Sequence, residues 1–318
     1  VADATDAGDR LRTAEAHRQL ANLLRSRDLP AAVDHQRQAV AGFAALATGD
    51  DLKPRVRLAD NTAWLAELLA KTLPDEADAL SVDAIALMQA VVAKDPLNVG
   101  YQESLQRLRM IQIDVLVHRR QWNDVIAAVQ AARPLSEKLA ASADNPNNKF
   151  GLALLDHQAA DALAASQRLP EAAAAYRLAA AAYDALGATI DADAIWQNSG
   201  ITHLALGQGL ATMGRDADAL PELNRARELA IRGMTRDATA LMWPKLLFQA
   251  SLALADLHQR QGDRAARATA TAQTREAATA MLALDPAWRP AAVAGATTDA
   301  TPAALLARLE RRLAGGSR

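Results

Sequence analysis

Apolar residues recur along this chain at helical spacing, stretch after stretch, and nowhere in the strict alternation of a half-buried strand. Ala32, Val33, Ala39, Val40 and Phe43, for example, fall on one face of a helix. Short breaks separate the stretches: Asp28–Pro30, Pro74-Asp75, Asp95-Pro96, the run DNPNN at 144–148, Gly214, Gly262 and Asp285-Pro286. Proline suits a first helical turn and glycine the residue just past a helix end, so these breaks serve as starts and stops. The pattern predicts six helix pairs, at about 9–47, 54–94, 98–142, 148–187, 191–235 and 238–284. An irregular segment, 285–301, and a short capping helix, 302–314, with the charged run RLERR complete one repeat domain spanning 1–318.

The aromatic residues carry a longer period. Tyr101, Phe150, Trp196, Trp243 and Trp288, five of the eleven aromatics, are separated by 49, 46, 47 and 45 residues. Spacing of this size marks a structural repeat, here one helix pair per period. Their recurrence at equivalent positions favours wedges between repeats over a ladder of binding anchors. The fold class that follows is all-α: a right-handed solenoid of about six antiparallel helix pairs.

Composition narrows the function. Ala and Leu dominate the apolar half of the chain, as long helices require. A net charge of −2 gives no extended positive field, so nucleic acid is not an expected partner. No apolar run approaches the ~18 residues of a membrane span. The absence of cysteine removes disulfides, thiolate zinc sites and thiol catalysis, and leaves cytoplasm and periplasm equally open. Val1 in place of Met fits an exported product or a domain of a larger protein.

The stretch GQGLATMGRDADALPELNRARELA, with Gly207, Gly214, Ala219 and Ala226, places small residues where paired helices approach closely. Ala255 and Gly262 repeat its first half; Ala173 and Ala180 in LPEAAAAYRLA, and Ala32 and Ala39 in LPAAVDHQRQA, repeat its second. This pattern resembles the tetratricopeptide repeat (TPR), in a divergent long form similar to repeats of bacterial multidomain signalling proteins. The period exceeds that family's usual length, the signature Trp is absent, and Asp161, Asp114 and Glu67 stand where small residues are expected. The resemblance implies that first helices line a concave face. With the frame set at Pro74, Arg168, Gly214 and Gly262, the groove-facing residues are Asn61, Trp64, Gln158, Ile201, Leu204, Gln208, Gln249 and Asp256. A terminal-carboxylate clamp is not expected, since Asn61 has no matching Lys.

Catalytic and metal signatures are missing from the sequence. The six histidines are scattered, and His157 with Asp161 forms only a two-ligand pair. GQGLATMG lies within a helix and lacks the strand and Lys-Ser/Thr of a phosphate loop. The expectation is a non-catalytic scaffold or sensor module, without cofactor or metal. It would bind a protein or peptide along the groove, be monomeric in isolation, and form part of a larger bacterial signalling protein. The alternative is a small-ligand receptor or enzyme with an inter-repeat pocket.

Overall fold

The computed structural model describes residues 2–142, 145–289 and 302–315. Thirteen helices and no strands occur among them: α1 Ala2–Leu24, α2 Leu29–Leu46, α3 Leu52–Leu69, α4 Pro74–Lys94, α5 Val99–His118, α6 Trp122–Ser142 and α7 Pro146–Ala165, then α8 Leu169–Gly187, α9 Asp193–Thr212, α10 Asp216–Arg236, α11 Met242–Gln261, α12 Arg264–Leu284 and α13 Pro302–Gly315. Starts follow local chemistry. The side chains of Asp28, Asp51, Asn98, Asn145 and Asp263 each accept a hydrogen bond from a backbone N–H in the first turn of the following helix. These caps move several helix starts a few residues ahead of the positions the apolar pattern suggests: α3 begins before Pro54, and α7 before Phe150.

The chain divides into two compact units, 1–166 and 167–318. The division falls between α7 and α8, inside the segment 148–187 that the sequence reads as one pair. In the first unit, consecutive helices pack together from α1 to α7, and the first helix α5 also touches α3 and α7. In the second, α8 to α12 pack in sequence, α9 meets α11, and α13 rests on α12. Each unit thus builds a layer of first helices backed by a layer of second helices. Part of the irregular segment, 290–301, lies outside the described residues.

Small residues set the helix spacing. Ala32, Ala39, Ala173, Ala180, Ala219, Ala226 and Ala255 are all buried. A methyl group at Gly207 would come within 2.7 Å of Leu223, so α9 and α10 approach through that glycine. The α1–α2 contact runs through small residues. Leu20 and Leu23 on α1 are exposed, while Ala14 and Ala21 are buried. A methyl at Gly42 would sit 2.8 Å from the Ala14 Cβ. The helices are too close there for leucine between them, so Leu20 and Leu23 turn outward while Leu11 packs on the Ala14–Ala39–Phe43 cluster.

Three of the periodic aromatics, Tyr101, Trp196 and Trp243, act as wedges, while Trp288 lines an open groove. Trp243 is almost fully buried, and its ring occupies the space beside Gly233, where any β-carbon would overlap it. Trp196 lies under the Arg232 guanidinium, 3.6 Å from the ring centroid, with Arg236 at 5.1 Å. Tyr101 packs against the cluster containing Met88, Val91, Leu105 and Leu108.

Candidate partner-binding grooves

A backbone feature sets the register of the first helices. Residues just past α5, α7, α9 and α11 adopt left-handed φ values: Arg120 at 56°, Gln167 at 61°, Gly214 at 72° and Gly262 at 74°. They are spaced 47, 47 and 48 residues apart, so one turn recurs after four successive first helices. The turn residue before α8 is Gln167, one position ahead of the Arg168 that the sequence pattern suggests. Six residues before each turn stand Asp114, Asp161, Gln208 and Asp256, and the same 47-residue step leads back to Glu67. Nine residues before it stand Ile111 and Gln158, with Trp64 one step earlier. The carboxylates that break the small-residue pattern therefore form one register position on the first-helix face.

In the first unit a groove of about 500 Å³ is walled by Trp64 and Glu67 of α3, Lys71 just past its end, and Ile111, Asp114 and His118 of α5. The 47-residue register pairs opposite charges at one level, where the Arg107 guanidinium donates to Asp60 at 2.7 Å. At the next level it sets Glu67 against Asp114, two like charges. The Asp114 carboxyl is pushed up to about 6, first because the groove walls strip water from it, then because of the Glu67 charge; a hydrogen bond from Gln158 opposes both. The side chain itself keeps an open edge to solvent. Gln158 Nε2 donates to Asp114 Oδ1 at 2.5 Å, yet the buried Gln158 Oε1 receives no donor. Among the described residues no cation stands within ion-pair distance of Glu67 or Asp114.

A larger groove, about 880 Å³, opens in the second unit between α9, α11 and the end of α12. Gln208, Gln249 and Asp256 line it together, beside an apolar wall that includes Phe248 and Trp288. These two rings meet edge to face with centroids 5.0 Å apart. Gln208 and Gln249 are exposed, and neither side-chain amide is committed to a protein hydrogen bond. Arg260 at the rim is held by Asp216 at 2.7 and 3.1 Å. Lys245 and Arg289 also border the groove. Met281, Asp285, Trp288 and Arg289, which complete the lining, carry no groove signal in the sequence beyond the aromatic period itself.

Of the eight groove residues expected from sequence, three converge in the second unit, and Trp64 and Gln158 belong to the first-unit groove or its border. Asn61 lies elsewhere, between α2 and α3. Its carbonyl and Oδ1 accept from Gln36 Nε2 at 2.8 and 3.1 Å, and its Nδ2 donates to the Arg57 carbonyl at 2.7 Å. Leu204 is buried and Ile201 exposed on α9, and neither lines the larger groove.

One polar cluster has the residue types of a catalytic triad but different geometry. His203 Nδ1 contacts Glu222 at 2.6 Å, and its Nε2 contacts Asp184 at 3.2 Å. Ser199 Oγ donates to Asp184 Oδ1 at 2.9 Å, so no histidine nitrogen is available to take its proton. Burial works against the imidazolium, but hydrogen bonds and charge from both carboxylates outweigh it and raise the group to about 8. His203 is a charged tie joining α8, α9 and α10. His157 and Asp161 stand 3.4 Å apart, and among the described residues no three potential ligands gather around a metal position.

Neither a protein-family model nor a curated protein matches the chain. Solved structures do. BtubC (BKLC) from P. vanneervenii superposes with a TM-score of 0.62 at 15% identity, covering 83% of this chain and 94% of that one. A Rap protein complexed with Competence and Sporulation Factor gives 0.53 at 13% identity, over 94% and 75%. A STAND protein with a tetratricopeptide repeat sensor from Pyrococcus horikoshii gives 0.56 at 14% identity, over 87% of this chain and 37% of that protein. At these identities the likeness establishes the fold, which is TPR-like.

Proposed function

We propose that this TPR-like repeat protein is a non-catalytic interaction module that holds a peptide segment of a partner in the groove of its second unit. The observation that carries the reading is the convergence of Gln208 and Gln249, two uncommitted amides on neighbouring first helices, beside the Phe248–Trp288 wall. An extended peptide offers backbone donors and acceptors for the amides and side chains for the apolar wall. Its partner class agrees with the Rap protein complexed with Competence and Sporulation Factor and with the sensor part of the STAND protein, and a place in a larger bacterial signalling protein is part of the same proposal. The arrangement of Ser199, His203 and Asp184, in which the serine faces a carboxylate, supports a module without catalysis.

Selection of dodecapeptides from a random display library against the full chain tests the reading, followed by calorimetry on the enriched sequences. Gln208→Ala with Gln249→Ala, and Trp288→Ala separately, are each expected to weaken binding at least about tenfold, as loss of an interface anchor does. Peptides that bind all three proteins alike would place recognition outside this groove. A small metabolite that fills the groove and excludes every selected peptide would support the receptor reading instead, since about 880 Å³ is also large enough for a small ligand.

A further inference from the structure

We propose that the first-unit groove is a guanidinium-binding pocket, in which the carboxylates of Glu67 and Asp114 and the Gln158 amide oxygen receive an arginine side chain of a partner over the face of Trp64. The inference stands apart from the peptide groove of the second unit and does not depend on it.

Three independent features point to a missing donor. The first is an ion-pair ladder with one level unfilled. The repeat register that joins Arg107 to Asp60 leaves Glu67 facing Asp114, and neither carboxylate has a cationic partner among the described residues. Lys71 and His118 border the groove, as does Arg25 beyond α1, yet none reaches the carboxylates. The second feature is Gln158 Oε1. Gln158 is only 7% exposed and occupies in α7 the register position that Trp64 and Ile111 hold in the groove wall. Gln158 stands behind the groove wall rather than in it: its Nε2 is fixed on Asp114, and its oxygen is buried next to that contact without a donor. A buried acceptor without a donor is costly, and an entering N–H group relieves it. The third is Trp64, an aromatic face beside the acids, where a cation gains from the ring quadrupole.

The geometry selects guanidinium over ammonium. Acceptors are contributed by three helices, α3, α5 and α7, and a planar group with five N–H donors can address them together while stacking on an indole. An ammonium is a compact, strongly hydrated point charge with no flat face.

The probe is the tripeptide Ac-Gly-Arg-Gly-NH2, with lysine and citrulline analogues, titrated against the full chain by NMR. The readout is the Trp64 indole resonance, assigned through Trp64→Phe. The arginine peptide should shift it saturably, the lysine peptide should bind at least about tenfold more weakly, and neutral citrulline should not bind. Asp114→Asn removes a repelling charge and so should fold, and it should weaken the arginine peptide at least about tenfold. Binding should also fall as pH drops from 7 to 5 and Asp114 takes up its proton, with Glu67, Lys71, His118 and Arg25 the other charged or titratable groups in the groove. Equal binding of the three peptides, no saturable shift, or an unchanged response in Asp114→Asn would overturn the proposal. So would displacement of the arginine peptide by calcium or magnesium at micromolar concentration, which would make the corner a metal site. Dodecapeptide binding at Gln208 and Gln249 is unaffected by any of these results, so the two readings fail separately.

Discussion

His203 offers a direct test of how the second unit is held together, because its contribution depends on pH with a definite sign. Its folded-state pKa is raised to about 8 by Asp184 and Glu222 acting against burial. In the unfolded chain the group returns to the ordinary histidine value of about 6.5. A group raised on folding stabilises the fold fully below the unfolded value and ceases to do so as pH climbs through the folded one. The window is therefore about pH 6.5 to 8. A difference near 1.5 pH units corresponds to about 2 kcal/mol. The side chain is only 10% exposed, so solvent screening removes little of this. Asp184, held low by His203, Ser199 and Arg225 despite its own desolvation, loses its contribution only in acid and does not disturb the window. It reports the same ion pair, and its shift is not added to that of His203.

Urea unfolding followed by helix circular dichroism at pH 6.5 and 9 should show the loss of about 2 kcal/mol at the higher pH. Hydrogen exchange of α9 amides would assign that loss to the second unit. His203→Gln should lower stability at pH 6.5 by about 2–3 kcal/mol, because it leaves Glu222 without its histidine partner. The same variant should be nearly flat between pH 6.5 and 9. A wild-type protein with no such slope, or a variant that retains it, would refute the reasoning.

Gly233→Ala should destabilise the chain by about 1 kcal/mol net, since overlap with Trp243 costs about 1–3 kcal/mol against a gain of about 1 kcal/mol in helix propensity; chemical unfolding monitored by tryptophan fluorescence measures it, and a neutral result would mean that the ring moves freely. Arg120→Gly and Gln167→Gly should each raise stability by up to about 1 kcal/mol, because both residues occupy left-handed turns, whereas Gly214→Ala should do the reverse. Thermal midpoints of the three variants check that opposition of signs. Sedimentation should return a monomer of 33.7 kDa despite the exposed Leu20 and Leu23 on α1. A doubled mass that Leu23→Glu abolishes would show that this stripe is an interface.

The helices were legible because their signals are local. Pro74 opens α4, Gly214 and Gly262 close α9 and α11, and the alanines at 219 and 226 sit buried where close approach requires them. Helix starts shifted where a polar cap acts before the first apolar residue, as Asp51 and Asn145 do. The outward leucines of α1 were not legible, because the tight Ala14–Gly42 contact depends on a residue 28 positions away. The division of the chain between α7 and α8 left no mark in composition.

The groove residues were harder, because being polar and on a first helix does not distinguish a surface amide from a buried one. Asn61 and Gln208 are both amide-bearing positions in the repeat frame, yet Asn61 is held by Gln36 and Arg57 while Gln208 remains open. That difference lies in the partners, which the frame does not contain. The more informative signal was deviation from the repeat. Glu67, Asp114 and Asp161 are where a TPR-like packing pattern calls for small side chains, and they recur at intervals of 47 residues. A carboxylate at one such position is an ordinary substitution. The same departure at three successive repeats, with two of the charges facing one another and a buried glutamine oxygen left without a donor, is an arrangement that an added positive charge would stabilise. Asp161 has His157 beside it, and Glu67 and Asp114 have no comparable cation. The first unit therefore carries one like-charged level with no cation of its own among the described residues, and an arginine of a partner is the group whose shape and charge would balance it.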